Sequence, residues 1–258
     1  MIQLLRLYAI VDAGFFPSSR ELVAFAEELV SGGCTLLQYR NKSGNARVML
    51  EQGRELRGLF GTKSQNPHFS QNRGEVGHPI SEKFESQNPQ GDWSGGNPRP
   101  PGNEAPRTRA SGAPQPSIRL IMNDRADLCL AAKFDGVHVG QEDLSPESVR
   151  KIIGPERWLG VSTHNPEQIR EADLTSADYL AIGPVFATSS KEKPDPVVGL
   201  EGVRRARELT RKPLVAIGGI TRANAASVIE AGADSVAVIS DLLREPRKSA
   251  EEFLRILR

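Results

Sequence analysis

Eight short apolar runs, each followed by a segment with helical spacing, recur along the chain, and this alternation limits its folds more than any other feature. The runs are Arg6–Asp12, Cys34–Leu37, Leu120–Met122, Val137–Val139, Trp158–Thr163, Tyr179–Val185, Pro213–Ile217 and Ser235–Ile239. Strand, helix and strand in succession make a right-handed parallel crossover, so all the strands end at one edge of their sheet. Eight such units are the pattern of an α/β protein closed into a (β/α)8 TIM barrel. An open doubly wound sheet is the main alternative. No G-x-G-x-x-G follows the first strand, and the even spacing of similar units favours closure.

Helix signals support the same count. Ser18 and Glu21 have capping-box spacing, and Leu22, Phe25, Ala26, Leu29 and Val30 give one apolar face that stops at Gly32-Gly33. Further helices are expected at Ala46–Phe60, Arg125–Lys133, from Ser145-Pro146, from Asn165-Pro166, at Leu200–Leu209, from Thr221 to Gly232, and at Ser249–Leu257. The rhythm breaks once. Gly61–Ser117 is Pro, Gly, Ser, Asn, Gln and scattered charge without periodicity, which predicts a disordered surface insertion between the second helix and the third strand. Its Trp93, His68 and His78 are expected to be solvated. The chain therefore reads as a single barrel domain over residues 1–258, interrupted at about 61–117. Without the interruption roughly 200 residues remain, enough for such a barrel.

Charge and cysteine usage exclude some functions. A net charge of +1 with 25% charged residues provides no field for nucleic acid or an anionic membrane. Cys34 and Cys129 lie in apolar segments without a CxxC partner, as free buried thiols in a reducing compartment would. Met1–Val11 lacks the form of a signal peptide, and no apolar run approaches a membrane span. A cytoplasmic protein acting on small molecules is expected, compatible with a homo-oligomer but not specifying one.

In a barrel of this kind the active site forms at the carboxyl ends of the strands. Those ends carry Arg40 and Lys42, Asn123 and Asp124, Asp143, Ser162, the loop Thr188-Ser189-Ser190-Lys191, Gly218-Gly219 and Ile239-Ser240. Asp124 and Asp143 leave neighbouring strands at the same edge, and paired oxygen ligands suit a hard cation that also holds a phosphorylated substrate. Both could instead be helix N-caps. Arg40 and Lys42, two residues apart, leave their strand on the same side, and with Lys191 they suit a metal-bridged diphosphate. Gly218-Gly219 and Ile239-Ser240 follow strands seven and eight, where barrels often cradle a phosphate on backbone N–H groups. The alternative is tight turns that need glycine for positive φ. Two phosphorylated substrates are implied. His138 and His164 read as structural or pocket-shaping.

The motifs QYRNK (Gln38–Lys42), MND (Met122–Asp124), DGVHVGQED (Asp135–Asp143), GVSTH (Gly160–His164), GPVFATSSK (Gly183–Lys191), AIGGI (Ala216–Ile220) and VISDL (Val238–Leu242) stand in order at strand ends. Together they resemble the thiamine-phosphate synthase family over all of the chain except Gly61–Ser117. The resemblance implies a transferase that joins 4-amino-2-methyl-5-(diphosphooxymethyl)pyrimidine to a thiazole phosphate, carboxylated or not, by a dissociative step that releases pyrophosphate. It implies that Gln38, Tyr39, Arg40, Asn41, Lys42, Asn123, Ser162 and Lys191 bind the pyrimidine diphosphate, with Arg40, Lys42, Ser162 and Lys191 catalytic. Thr188, Ser189, Ser190, Gly219, Ile239 and Ser240 would hold the thiazole phosphate. Asp124 and Asp143 would ligate Mg²⁺, one per subunit. A thiazole tautomerase on the same barrel is the nearest rival, and it has no use for a metal–diphosphate clamp. A non-catalytic sensor of phosphorylated ligands is the other. The insertion enters before the third strand, at the end of the barrel opposite this chemistry.

Overall fold

Residues that point into a closed barrel and residues that point out of it must both be apolar, because both faces of the sheet are covered. The strands are built that way. A computed structural model describes residues 2, 4–61, 117–188 and 195–258 of the chain. Eight parallel strands, β1 (Leu7–Asp12), β2 (Leu36–Arg40), β3 (Arg119–Asn123), β4 (Gly136–Val139), β5 (Trp158–Thr163), β6 (Tyr179–Ile182), β7 (Leu214–Ile217) and β8 (Ser235–Val238), pair in sequence order. β8 closes on β1 with Tyr8 beside Ala237. The helices are α1 (Ser19–Ser31), α2 (Ala46–Phe60), α3 (Ala126–Ala131), α4 (Pro146–Ile153), α5 (Pro166–Asp173), α6 (Gly199–Leu209), α7 (Ala225–Glu230) and α8 (Pro246–Ile256).

Alternation along each strand produces two separate cores. Tyr8, Ile10, Leu36, Ile121, Trp158, Tyr179, Ala181, Val215 and Ala237 fill the lumen. The alternate positions, such as Leu7, Ala9, Val11, Leu37 and Tyr39, pack against the helices with Leu22, Leu29, Phe134 and Phe253. The lumen is thus solid through its middle, and within it a cavity can open only at the rim.

At the end where the strands begin, one device recurs three times among the described residues. Asp135, Asp178 and Asp234 each precede a strand, and each carboxylate accepts the N–H of a residue on the preceding strand: Leu120 (2.8 Å), Leu159 (2.7 Å) and Leu214 (2.8 Å). Each also pairs with a helical arginine, Arg57 (2.7 Å), Arg150 (2.6 Å) or Arg207 (2.9 Å). The same guanidinium groups bond carbonyls past their helix ends, as Arg57 does to Gly61 (2.6 Å) and Arg150 to Gly154 (2.9 Å). One arginine therefore caps a helix and anchors two strands.

The expected elements are present, with several boundaries moved. β2 runs to Arg40 rather than stopping at Leu37, because its polar Gln38 and Arg40 face the cavity while Leu37 and Tyr39 supply the apolar outer face. β6 ends at Ile182 instead of Val185. α7 begins at Ala225 rather than directly after Thr221, because Asn224 first closes a turn on the Thr221 N–H (2.8 Å). α8 begins at Pro246, a residue suited to a first helical position, rather than at Ser249. The disorder expected for Gly61–Ser117 falls, apart from its two end residues, outside the described residues. None of the described helices is long and apolar enough to cross a membrane.

Candidate active site

The barrel's rim cavity lies at the carboxyl ends of the strands. Its lining includes Gln38 and Arg40 from β2, Asn123 from β3, His138 from β4, Ser162 and Thr163 from β5, and Thr188, Gly218, Gly219, Ile239 and Ser240 from the later loops. Ile10, Pro184, Ile217 and Ala237 supply apolar wall.

Arg40 is held by Asp12, the last residue of β1, in an ion pair at the cavity edge. Asp12 is buried and also accepts the Gly14 N–H (3.0 Å), so its carboxylate is fixed on both sides. Arg40 reaches the cavity with its guanidinium already oriented. Lys42, the next residue on that side, lies 2.5 Å from Asp124.

Asp124 adopts φ +61°, a left-handed conformation that Asp tolerates better than most residues. Its N–H donates to the His138 carbonyl (2.8 Å), which pins the end of β3 against β4. Asp143 accepts the Gly140 N–H (2.7 Å), which curls the loop after β4 back over the same space. The Asp143 carboxyl pKa is raised by partial burial and by Asp124, which acts through its charge and a side-chain hydrogen bond; Lys42 counters this. Neither carboxylate serves as a helix N-cap. Arg125 precedes α3 without a side-chain cap, and Ser145 caps α4 through the Ser148 N–H (3.3 Å). Two acidic side chains thus share one small region beside a lysine.

Gly218 and Gly219 have φ of +98° and +63°. A Cβ on Gly219 would lie 2.5 Å from the Ala187 carbonyl oxygen, and one on Gly218 would lie 2.6 Å from Pro184 Cα. Positive φ and close packing on the loop after β6 therefore account for both glycines, and the same lack of side chains leaves the backbone open to the cavity. Arg222 bonds Asp241 through its N–H (2.8 Å) and Nε (3.0 Å) and also pairs with Glu252. This locks the loops after β7 and β8 together around Gly219, Ile239 and Ser240.

Not every expected residue faces the cavity. Tyr39 and Asn41 point outward: the Tyr39 hydroxyl donates to Gln52 Oε1 (2.6 Å), and Asn41 Nδ2 donates to Tyr39 Oη (3.1 Å) and to Gln52 (3.0 Å). The alternation that aims Gln38 and Arg40 inward forces this, and the two residues tie β2 to α2 instead. Ser189, Ser190 and Lys191 lie outside the described residues. Both histidines line the cavity as expected. His164 Nδ1 donates to the Gly183 carbonyl (2.6 Å), while His138 is buried and bonds Ser162 Oγ (2.8 Å). Asp12 went unrecognised from sequence as the partner of Arg40; its only signal was an acidic residue ending an apolar strand.

Known proteins are similar to this chain over most of its length. A family model described as thiamine monophosphate synthase matches residues 105–242. A thiamine-phosphate synthase of Koribacter versatilis is 50% identical over 259 aligned residues, covering 99% of this chain and 97% of its own length. The chain belongs to the thiamine-phosphate synthase family. Another thiamine-phosphate synthase, from Chloroflexus aurantiacus, is 37% identical over 91% of this chain and 83% of its own. A solved thiamine phosphate pyrophosphorylase from Pyrococcus furiosus superposes with a TM-score of 0.69 at 30% identity, covering 98% of this chain and 95% of that one. Thiamine-phosphate synthases are transferases of thiamine biosynthesis. The acidic pair, Arg40, Lys42 and the glycine loop of this chain lie at the carboxyl ends of the strands, the end where barrels of this kind carry their active sites.

Proposed function

We propose that the chain joins 4-amino-2-methyl-5-(diphosphooxymethyl)pyrimidine to 4-methyl-5-(2-phosphoethyl)thiazole, or to its 2-carboxy form, with Mg²⁺ required and pyrophosphate released. The observation that carries this reading is the convergence of Asp124 and Asp143 beside Lys42, on the rim where Arg40 enters the cavity. A monophosphate isomerase needs no such grouping. Among the described residues no three His, Cys, Asp or Glu side chains gather as a metal cage. Two carboxylates suit Mg²⁺, which keeps waters and takes its remaining oxygens from a substrate phosphate. Asp124 and Asp143 would hold it, and when bound it would neutralise charge on the leaving diphosphate.

The chain's own residues do the rest. Arg40 and Lys42 present fixed positive charge to diphosphate oxygens, whose negative charge grows as the carbon–oxygen bond breaks. The electron pair leaves with pyrophosphate, and the pyrimidine amino group delocalises the cation left on the methylene carbon. The apolar wall of Ile10, Pro184, Ile217 and Ala237 limits water that would capture this cation. Gly219, Ile239 and Ser240, with Thr188, hold the thiazole phosphate so that the ring nitrogen closes the new carbon–nitrogen bond. No protein nucleophile is needed.

The test is pyrophosphate release from the two substrates together, with Mg²⁺ or with EDTA. Release that needs both substrates and the metal is expected. Absence of release under every condition, or full activity in EDTA, would overturn the proposal.

A further inference from the structure

Through the filled middle of the barrel runs a chain of hydrogen bonds between side chains remote in sequence. Gln38 Nε2 lies 2.9 Å from Tyr8 Oη, and Tyr8 Oη lies 3.0 Å from Tyr179 Oη. Tyr179 Oη is 3.1 Å from His138 Nδ1, and His138 Nε2 is 2.8 Å from Ser162 Oγ. Tyr8 and Tyr179 are fully buried, His138 is nearly so, and the two ends, Gln38 and Ser162, both line the cavity.

The direction of such a chain is fixed by its donor-only member. An amide nitrogen can only donate, so the Tyr8 oxygen accepts from Gln38 and its own proton must go onward. The partner for that proton is Tyr179. Sending the Tyr179 proton to Tyr8 instead would leave the Tyr8 proton unpaired in the interior, the costly case for a buried polar group. The Tyr179 proton therefore goes to His138 Nδ1. An imidazole that accepts at Nδ1 holds no proton there, so His138 is neutral in this chain. A neutral imidazole whose Nδ1 accepts carries its proton on Nε2, and that proton goes to Ser162 Oγ.

We propose that this one-way chain makes Tyr8, Tyr179 and His138 positioning residues for Ser162, holding His138 as the Nε2–H tautomer and leaving the Ser162 hydroxyl proton to be donated into the cavity. The ligand atom facing Ser162 is then a hydrogen-bond acceptor, a phosphate oxygen or an unprotonated ring nitrogen, and a donor there is rejected. The amide oxygen of Gln38, with its nitrogen committed to Tyr8, is left as the acceptor for a donor such as an amino group. The consequence for turnover rests on the transferase reading; the tautomer does not.

Two measurements test it. In ¹⁵N-histidine-labelled protein without ligand, with His138 assigned by His138→Asn, His138 should show a protonated Nε2 and an unprotonated Nδ1 at pH 7. The opposite tautomer overturns the proposal whether or not the protein turns over the proposed substrates. Tyr179→Phe removes the hydroxyl that accepts the Tyr8 proton and supplies Nδ1, and should lower kcat/KM about tenfold, the effect of one net hydrogen bond. In a Ser162→Ala background the same substitution should change kcat/KM less than twofold, because its effect passes through Ser162. Equal losses in both backgrounds would mean that Tyr179 only packs the lumen, and would overturn the proposal.

Discussion

Asp143→Asn separates the charge of the acidic pair from its shape. The side chain keeps its size and an oxygen for the Gly140 N–H, and loses the negative charge beside Asp124. Two like charges about 4 Å apart repel by about 4 kcal/mol at an effective dielectric of 20, and by about 1 kcal/mol in water. The Asp143 carboxyl opens to solvent and Lys42 lies against Asp124, so the lower figure applies. At about 2–4 °C per kcal/mol for a chain of this size, the metal-free variant should melt about 2–4 °C above the wild type. With Mg²⁺ and pyrophosphate at one hundred times their dissociation constant, the wild type should gain about 2.7 kcal/mol, or about 5–10 °C, and the variant less than half of that. The assay is thermal unfolding at pH 8 and low salt, in EDTA and then with both additions. A variant that melts lower in EDTA, or that keeps the full ligand-induced gain, would refute the claim that two carboxylates are held together for a cation.

Gly219→Ala places a methyl group 2.5 Å from the Ala187 carbonyl at φ +63°, so it should raise KM for the thiazole phosphate at least tenfold while leaving KM for the pyrimidine diphosphate within twofold, by steady-state kinetics. Asp178→Ala removes the shared acceptor of Arg150 and the Leu159 N–H at the opposite end of the barrel, costing about 2–4 kcal/mol and about 4–16 °C in Tm, with kcat unchanged below the transition. His138 has a folded pKa of about 4, below its unfolded value of about 6.5, so the unfolded chain binds more protons between those pH values. Its contribution to stability is complete above about pH 6.5 and lost as pH falls to about 4; denaturant titrations across that window should show a shallower pH slope in His138→Asn.

Legibility in the sequence followed how local each signal is. Capping at Ser18, Ser145 and Asn165 depends on residues three apart, and each of these caps forms. The (β/α)8 order and the inward aim of Gln38 and Arg40 follow from short-range pattern and strand alternation. Tyr39 and Asn41 share the QYRNK motif with Gln38 and Arg40, yet a strand sends alternate residues to opposite faces, and these two bond Gln52 on α2. The Arg40–Asp12 pair spans 28 residues and the Tyr8–Tyr179 contact 171, and no local pattern announces such pairings. Polar residues in the lumen were also hidden by their type: a tyrosine in an apolar strand reads as core until a second hydroxyl is found opposite it.

The arginine on α2 has a further consequence. Arg57 grips the Gly61 carbonyl where the chain departs, and grips Asp135, whose carboxylate holds the Leu120 N–H just after the chain returns. A single guanidinium thus staples both edges of the seam, whatever lies between them. Loop-closure entropy grows by only about 0.6 kcal/mol for each doubling of loop length, so the seam is nearly indifferent to how much chain it must bridge. Exchanging or shortening the sequence between Gly61 and Ser117 should therefore leave the closure of β2 on β3 intact.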